Sequence, residues 1–235
     1  MPRSRSTPRW FEAASSLPTL QCGGGRDKPI EVQTEAMIHI IDDDDSLRMA
    51  LDSLFRSVGL ACQQHASVAD FLASTRPDLP GCLVLDVRMP GMSGLDFQDQ
   101  LDALGIGLPV VLMSGHGDIP MSVRAMKAGA VDFLVKPFRD QDMLDAVTAA
   151  IARDGQRRAL AVDDADLHAR HATLSQREQQ VMALVTAGQM NKQAAFELGL
   201  SEVTVKIHRG AAMRKMGART LPDLVRMAQR LGVTA

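Results

Sequence analysis

Four stretches of the chain place a chemically capable polar residue at the end of a short apolar run. Asp42 and Asp43 follow Ile38–Ile41, Asp86 follows Cys82–Leu85, Ser114 follows Pro109–Met113, and Lys136 follows Val131–Val135. Gathered in one place, three carboxylates repel one another and call for a hard divalent cation, with Mg2+ the natural choice. Such a cation binds phosphate oxygens and neutralises charge during phosphoryl transfer. In that set Asp86 is the candidate nucleophile. Lys136 would pair with one phosphoryl oxygen, and the Ser114 hydroxyl would donate a hydrogen bond to another. Taken singly, each aspartate has a plainer explanation, because Asp after a strand also serves as a helix N-cap or turn residue. Four such ends together are poorly explained that way. Asp45 fits the N-cap or first-turn acid of the helix that follows it, with Asp44 a solvated neighbour.

These residues can meet only if the runs carrying them lie side by side. From Met37 the sequence alternates the four runs, and a fifth at Leu60–Gln63, with amphipathic stretches. The stretches are 45–58, 68–74, 94–104, 119–128 and 141–153; in the first, Leu47, Leu51, Leu54 and Val58 share a face. Turn signals at Pro77, Pro80-Gly81, Pro90-Gly91, Gly105 and Gly129 separate the elements. Five β–α units in this order predict an α/β domain, a doubly wound five-stranded parallel sheet over residues 37–153. In such sheets ligands bind beyond the carboxyl ends of the strands, where all four polar sites fall.

The rest of the chain reads differently. Residues 154–172 are polar and read as a linker, helical in part. From Leu174 the pattern is helical, with a capping box at Ser175-Gln176-Arg177-Glu178, and residues 173–235 predict an all-α domain of four helices. Two of them, 191–198 and 202–216, are joined by Gly199-Leu200-Ser201. Gly199 suits a helix C-terminus and Ser201 an N-cap, which makes a helix-turn-helix. On the second of these helices Val205, Ala212 and Met216 share a face that can pack, while Lys206, Arg209 and Met213 share another. Residues 37–152 hold 16 acidic and 8 basic side chains, residues 174–235 hold 9 basic and 4 acidic. The basic part would favour a polyanion, and with the helix-turn-helix geometry DNA is the expected ligand. A solvated cationic face is the plainer alternative.

Composition narrows the class further. Aromatic residues are 3% of the chain and Tyr is absent, so the core must be aliphatic. The three cysteines, Cys22, Cys62 and Cys82, have no metal-ligand spacing, and an odd number argues against a disulfide framework. No apolar run has the length to cross a bilayer, so no membrane association is expected. Residues 1–36, rich in Pro, Ser, Gly and Arg, are expected to form a disordered N-terminal extension, with Met37 as the natural start.

Residues 37 to about 153 resemble the receiver domain of two-component response regulators, with its flavodoxin-like (CheY-like) fold. The resemblance is carried by Ile-Ile-Asp-Asp (40–43), Leu-Asp-Val-Arg-Met-Pro-Gly-Met-Ser-Gly (85–94), Met-Ser-Gly-His-Gly-Asp (113–118) and Lys-Pro-Phe (136–138). It implies that a sensor histidine kinase phosphorylates Asp86 and that Asp42, Asp43, Asp86 and the backbone carbonyl of Arg88 hold Mg2+. It also implies a cis Lys136–Pro137 peptide and a switch in which Ser114 moves and the aromatic at position 133 turns inward. That aromatic is Phe133, where Tyr is usual, and an ordinary packed strand residue is an equal explanation. The helix at 119–128 and the strand at 131–135 would form a face for homodimerisation on phosphorylation, with Arg124, Lys127 and Asp132 as cross-pairs.

The C-terminal part resembles the LuxR/NarL-type DNA-binding domain through Leu174-Ser-Gln-Arg-Glu178, Asn191-Lys192-Gln193, Ser201, Thr204-Val205-Lys206, His208-Arg209 and Met213-Arg-Lys-Met216. Lys206 and Ile207 would face the major groove of promoter half-sites, with Asn191, Lys192, Thr204, His208 and Arg209 as further contacts. Ala194 and Ala212 stand where Ile and Val are usual. Phe196 is expected to fill the space they leave. Both parts in this order look like the FixJ/NarL group of transcription regulators, a cytoplasmic class for which RNA polymerase is a further candidate partner.

Two other readings compete. Haloacid-dehalogenase-type phosphatases also use an Asp nucleophile, Mg2+, a Ser or Thr and a Lys, but carry a second Asp two residues after the nucleophile. Arg88 stands there, so the reaction would stall at phosphoaspartate. A degenerate receiver, serving only as an interaction module, would lack pocket residues that this chain retains.

Overall fold

The computed structural model describes residues 36–233 apart from residues 116 and 118. The extension expected over residues 1–36 therefore lies outside the described residues, save for Ala36. Strands β1 (Met37–Ile41), β2 (Ala61–His65), β3 (Gly81–Asp86), β4 (Val110–Ser114) and β5 (Asp132–Val135) alternate with helices α1 (Asp45–Ser57), α2 (Val68–Ala73), α3 (Gly94–Gln98), α4 (Ile119–Lys127) and α5 (Asp140–Ala172). Helices α6 (Gln176–Thr186), α7 (Asn191–Leu198), α8 (Glu202–Met216) and α9 (Leu221–Arg230) follow.

The strands form one parallel sheet in the order β2-β1-β3-β4-β5. The chain starts in the interior, moves out to β2 and returns across β1, so the order reverses between β1 and β3. There the strand ends leave a crevice. Every residue of β3 is buried, as a strand covered on both faces by helices must be. Ile41, Leu83, Leu85 and Leu112 pack with Phe71 and Phe97 on one face. Ile38, Ile40, Val84, Val111 and Met113 pack with Phe55, Met143 and Val147 on the other. Phe71 and Phe97 meet edge to face with centroids 5.9 Å apart. Aliphatic side chains still dominate both clusters, in keeping with the composition.

Several local expectations need correction. The N-cap of α1 is Asp44, whose carboxylate accepts from the backbone N–H groups of Ser46 and Leu47 at 2.8 and 3.3 Å; Asp45 is the first-turn acid. Helix α3 ends at Gln98 rather than near Leu104, because the bonding tightens to i→i+3 turns from Gln100 N–H to Phe97 and from Gly105 N–H to Asp102. The stretch read as a linker is the second half of α5, a 33-residue helix. Its polarity reflects the exposure of most of its length, residues 159–166 above all, not loss of helix.

Beyond α5, a second core is built from Val181, Met182, Leu184 and Val185 of α6, Ala194 and Ala195 of α7, Val205, Ala212 and Met216 of α8, and Leu224 and Ala228 of α9. Leu167 of α5 joins it. The packing face expected on α8 is thus the observed one, and Met213, placed on the outer face by the sequence, packs partly against this core. The capping box at Ser175 and Glu178 is present. Phe196 does not fill the space beside Ala194 and Ala212: it is 92% exposed, whereas both alanines are fully buried. The helices close up around the small side chains, and Phe196 points outward from α7.

Candidate functional site

At the carboxyl ends of β1, β3 and β5 the sheet brings Asp42, Asp86 and Lys136 into direct contact. The Lys136 ammonium lies 2.7 Å from an oxygen of Asp42 and 2.7 Å from an oxygen of Asp86. The two carboxylates are almost fully buried, at 1% and 4% exposure. Backbone groups fix both: Asp44 N–H donates to Asp42 Oδ1 at 2.9 Å, and Arg88 N–H donates to Asp86 Oδ2 at 2.8 Å. Lys136 is held by its own N–H, which donates to the Ser114 carbonyl at 2.8 Å. The Lys136–Pro137 peptide is cis.

Gly94 allows this crowding. A side-chain carbon there would collide with the carbonyl oxygen of Asp86, so the α3 end can close over β3 only with glycine at that position. Burial lifts the Asp86 carboxyl above its usual range, against the opposing pull of Lys136 and the Arg88 N–H. The same burial works against the charge on Lys136, but hydrogen bonds to Asp42 and Asp86 outweigh it and raise the ammonium pKa. The ammonium therefore stays charged between the two acids.

Ser114 ends β4, fully buried, with its hydroxyl 3.7 Å from the Met121 sulfur. Phe133 is half-buried in β5 and packs against the core face that holds Leu112. Asp43 is exposed. Among the described residues no three His, Cys, Asp or Glu side chains come together as a ready metal cluster. The expected carboxylate trio is therefore not preassembled: Lys136 bridges Asp42 and Asp86, and Asp43 stands at the rim. The donor set still suits a hard cation. Asp42, Asp43, Asp86 and the Arg88 carbonyl offer oxygen alone, the chemistry Mg2+ prefers over soft ligands.

The helix-turn-helix residues divide into two groups. Lys206 and Ile207 are exposed on α8, Ile207 at 63%, with Val203 beside them at 66%. Lys206 makes an exposed ion pair with Glu202 at 3.6 Å. Lys192 is exposed on α7. Arg209 and Asn191 are turned to each other, with the guanidinium donating to the Asn191 side-chain oxygen at 3.1 Å. Thr204 shares a hydrogen bond of 2.7 Å with the Ser201 hydroxyl at the α8 cap. His208 is half-buried. Val203, four residues before Ile207, shares this exposed face of α8. Arg124, expected as a cross-pair between copies, binds Asp96 at 2.9 Å and Asp99 at 2.7 Å within its own chain.

Two family models match the chain in succession. A family model described as response regulator receiver domain matches residues 38–148, and one described as bacterial regulatory proteins, luxR family, matches residues 172–228. Nodulation protein W of Bradyrhizobium diazoefficiens is 56% identical over 205 residues, covering 87% of this chain and 90% of that protein. The transcriptional regulatory protein FixJ of Azorhizobium caulinodans is 46% identical over 196 residues, covering 83% and 93%. The low-resolution structure of response regulator StyR matches with a TM-score of 0.72 at 45% identity, covering 83% of this chain and 99% of that one.

Proposed function

Because the chain belongs to the response regulators that join a receiver domain to a luxR-family DNA-binding domain, and so is a transcriptional regulator, we propose that a phosphoryl group on Asp86 is the switch that controls its DNA binding. The observation that carries this reading is Lys136, 2.7 Å from both Asp42 and Asp86. A carboxylate oxygen of Asp86 attacks the phosphorus of a phosphohistidine on a sensor kinase. The P–N bond breaks, the imidazole leaves with the electron pair and takes a proton, and an acyl phosphate remains on Asp86. Asp42, Asp43, Asp86 and the Arg88 carbonyl would hold Mg2+, which would neutralise phosphoryl charge. Lys136 gives up its hydrogen bond to Asp86 and pairs with a phosphoryl oxygen, and the Ser114 hydroxyl donates to another. Phe133, behind Ser114 in the sheet, turns inward as Ser114 moves. No acid stands two residues beyond Asp86, since Arg88 occupies that place. The acyl phosphate is then hydrolysed slowly, as a switch requires.

Phosphorylation pairs two chains through the α4–β5 face, where Ile119, Val123, Met126 and Val135 are exposed apolar side chains. The Arg124 pairs with Asp96 and Asp99 would have to open for the dimer cross-pairs to form. Two α8 helices then reach paired half-sites in adjacent turns of the major groove. Lys206 and Lys192 meet phosphates or guanine, Ile207 meets base edges, and Asn191, Thr204, His208 and Arg209 orient the turn or reach the backbone. RNA polymerase is the partner through which bound protein alters transcription. Its DNA-binding domain ties the protein to the compartment that holds DNA, and we place it in the cytoplasm.

The test is DNA affinity with and without acetyl phosphate and Mg2+, using a duplex selected from a random pool by the wild-type protein. A gain in affinity that disappears in Asp86→Asn is expected. An equal gain in Asp86→Asn refutes the switch.

A further inference from the structure

Asp154 is the one aspartate on α5 with no exposed surface, although it falls where the sequence reads as a linker. A buried carboxylate must be fully paired, and here it is. Gly81 N–H, at the start of β3, donates to Oδ2 at 3.1 Å. Arg157 donates to Oδ1 through Nε and Nη2 at 2.9 and 2.7 Å. Arg158 Nε donates to Oδ2 at 2.8 Å, and its Nη1 reaches Asp78 in the loop before β3 at 2.5 Å. The Arg157 guanidinium also lies so close over Gly107 that a side chain at 107 would displace it.

Three features give this clasp a consequence beyond stability. The strand it grips, β3, ends at Asp86. The helix it grips continues past it into the DNA-binding domain, where Leu167 is buried in the second core, Arg170 donates to the Met216 carbonyl at 3.3 Å, and Asp164 accepts from Arg230 at 3.0 Å. Gly155 sits directly after Asp154, where glycine makes the helix easiest to bend. Asp154, Arg157 and Arg158 bracket that weak point. Between the two grips, residues 159–163 are exposed.

We propose that Asp154 is a positioning residue for signal output: it locks α5 to the start of β3, so that the helix leaves the receiver in a fixed direction and carries the state of Asp86 to the DNA-binding domain. This rests on the phosphorylation switch proposed above. Without the clasp, Gly155 becomes a hinge and the two domains respond independently.

The experiment uses the full chain, wild type and Asp154→Asn, with two readouts. The first is amide hydrogen exchange of residues 155–163, which needs no phosphorylation. Exchange at least about tenfold faster in the variant is expected, as for a helix segment released from tertiary contacts. The second is the gain in affinity for the selected duplex on treatment with acetyl phosphate and Mg2+. An allosteric gain is commonly about 5- to 150-fold, and in Asp154→Asn it should fall below about threefold, with phosphate incorporation and unphosphorylated affinity unchanged. Unchanged exchange, or a full gain in the variant, overturns the proposal. If Asp154→Asn does not fold, Arg158→Gln cuts the tie to Asp78 in the loop before β3 while Arg157 still pairs the carboxylate; it should move both readouts in the same direction by less, and both unchanged overturn the proposal. If the wild type neither takes a phosphoryl group nor gains affinity, the switch itself has failed, and the exchange measurement alone decides the clasp.

Discussion

A buried histidine pair gives the receiver a definite response to acid. His39 of β1 and His65 of β2 are 2% and 6% exposed, with Nδ1 of one 3.3 Å from Nε2 of the other. Both rings contact Phe71 edge to face at 5.3 Å. Burial, then the neighbouring His65, then Arg76 bring the His39 pKa down to about 4. Burial and Arg76 also lower that of His65, against Asp70. The unfolded chain therefore binds a proton that the folded chain refuses between pH 6.5 and about 4. A base depressed on folding stabilises the fold above its unfolded pKa and loses that contribution as pH falls through the folded value. For His39 the loss between pH 7 and pH 5 is about 2 kcal/mol. With a urea m-value of about 2 kcal/mol/M, the midpoint should move down by about 1 M. Urea unfolding followed by circular dichroism at the two pH values, in wild type and His39→Gln, isolates the effect, since all other titrating groups are shared. The variant should lose about 2 kcal/mol less than the wild type over that range. Equal losses in the two proteins refute the reading of a pair buried in the neutral form.

Three further substitutions probe the structure at separate points. Phe196→Ala should leave the melting temperature of the chain essentially unchanged, a shift within about 0.5 kcal/mol, because the ring is exposed; marked destabilisation would return Phe196 to the core. Leu167→Ala should cost about 2–5 kcal/mol in the unfolding of the C-terminal domain, since this α5 residue is buried among α6–α9. Protection of the β3 amides against hydrogen exchange should be unaffected, and its collapse would show that the two cores unfold together. Asp44→Ala should remove about 1 kcal/mol from the receiver through loss of the α1 cap, whereas Asp45→Ala should cost less; the reverse ranking in urea melts would assign the cap to Asp45.

Much of this was legible because parallel sheets write their register into the sequence. Asp42, Asp86 and Ser114 follow or end buried runs, Lys136 follows the apolar edge strand β5, and the strand order alone brings those ends together. The helix-turn-helix was equally plain from Gly199 and Ser201. The failures share a different physics. Polarity at 154–172 was read as a linker helical only in part, yet Ala, Leu and Arg sustain a helix whether or not one face is apolar. Asp154 with Arg157 and Arg158, spaced for helical ion pairs, was the available signal. Phe196 was assigned to the core from its chemistry alone, when the positions of Ala194 and Ala195 on the same helix already defined the inward face. The place of Lys136 between Asp42 and Asp86 depends on distances that no sequence pattern contains.

The phosphoacceptor can be identified chemically. After treatment of the intact protein with acetyl phosphate and Mg2+, borohydride reduces an acyl phosphate of aspartate to homoserine, and peptide mass mapping locates it. Homoserine should appear at position 86 and vanish when Mg2+ is chelated. Homoserine at Asp42 or Asp43 instead, or none anywhere in the presence of the metal, would mean that the cluster around Lys136 is not where this protein takes its phosphoryl group.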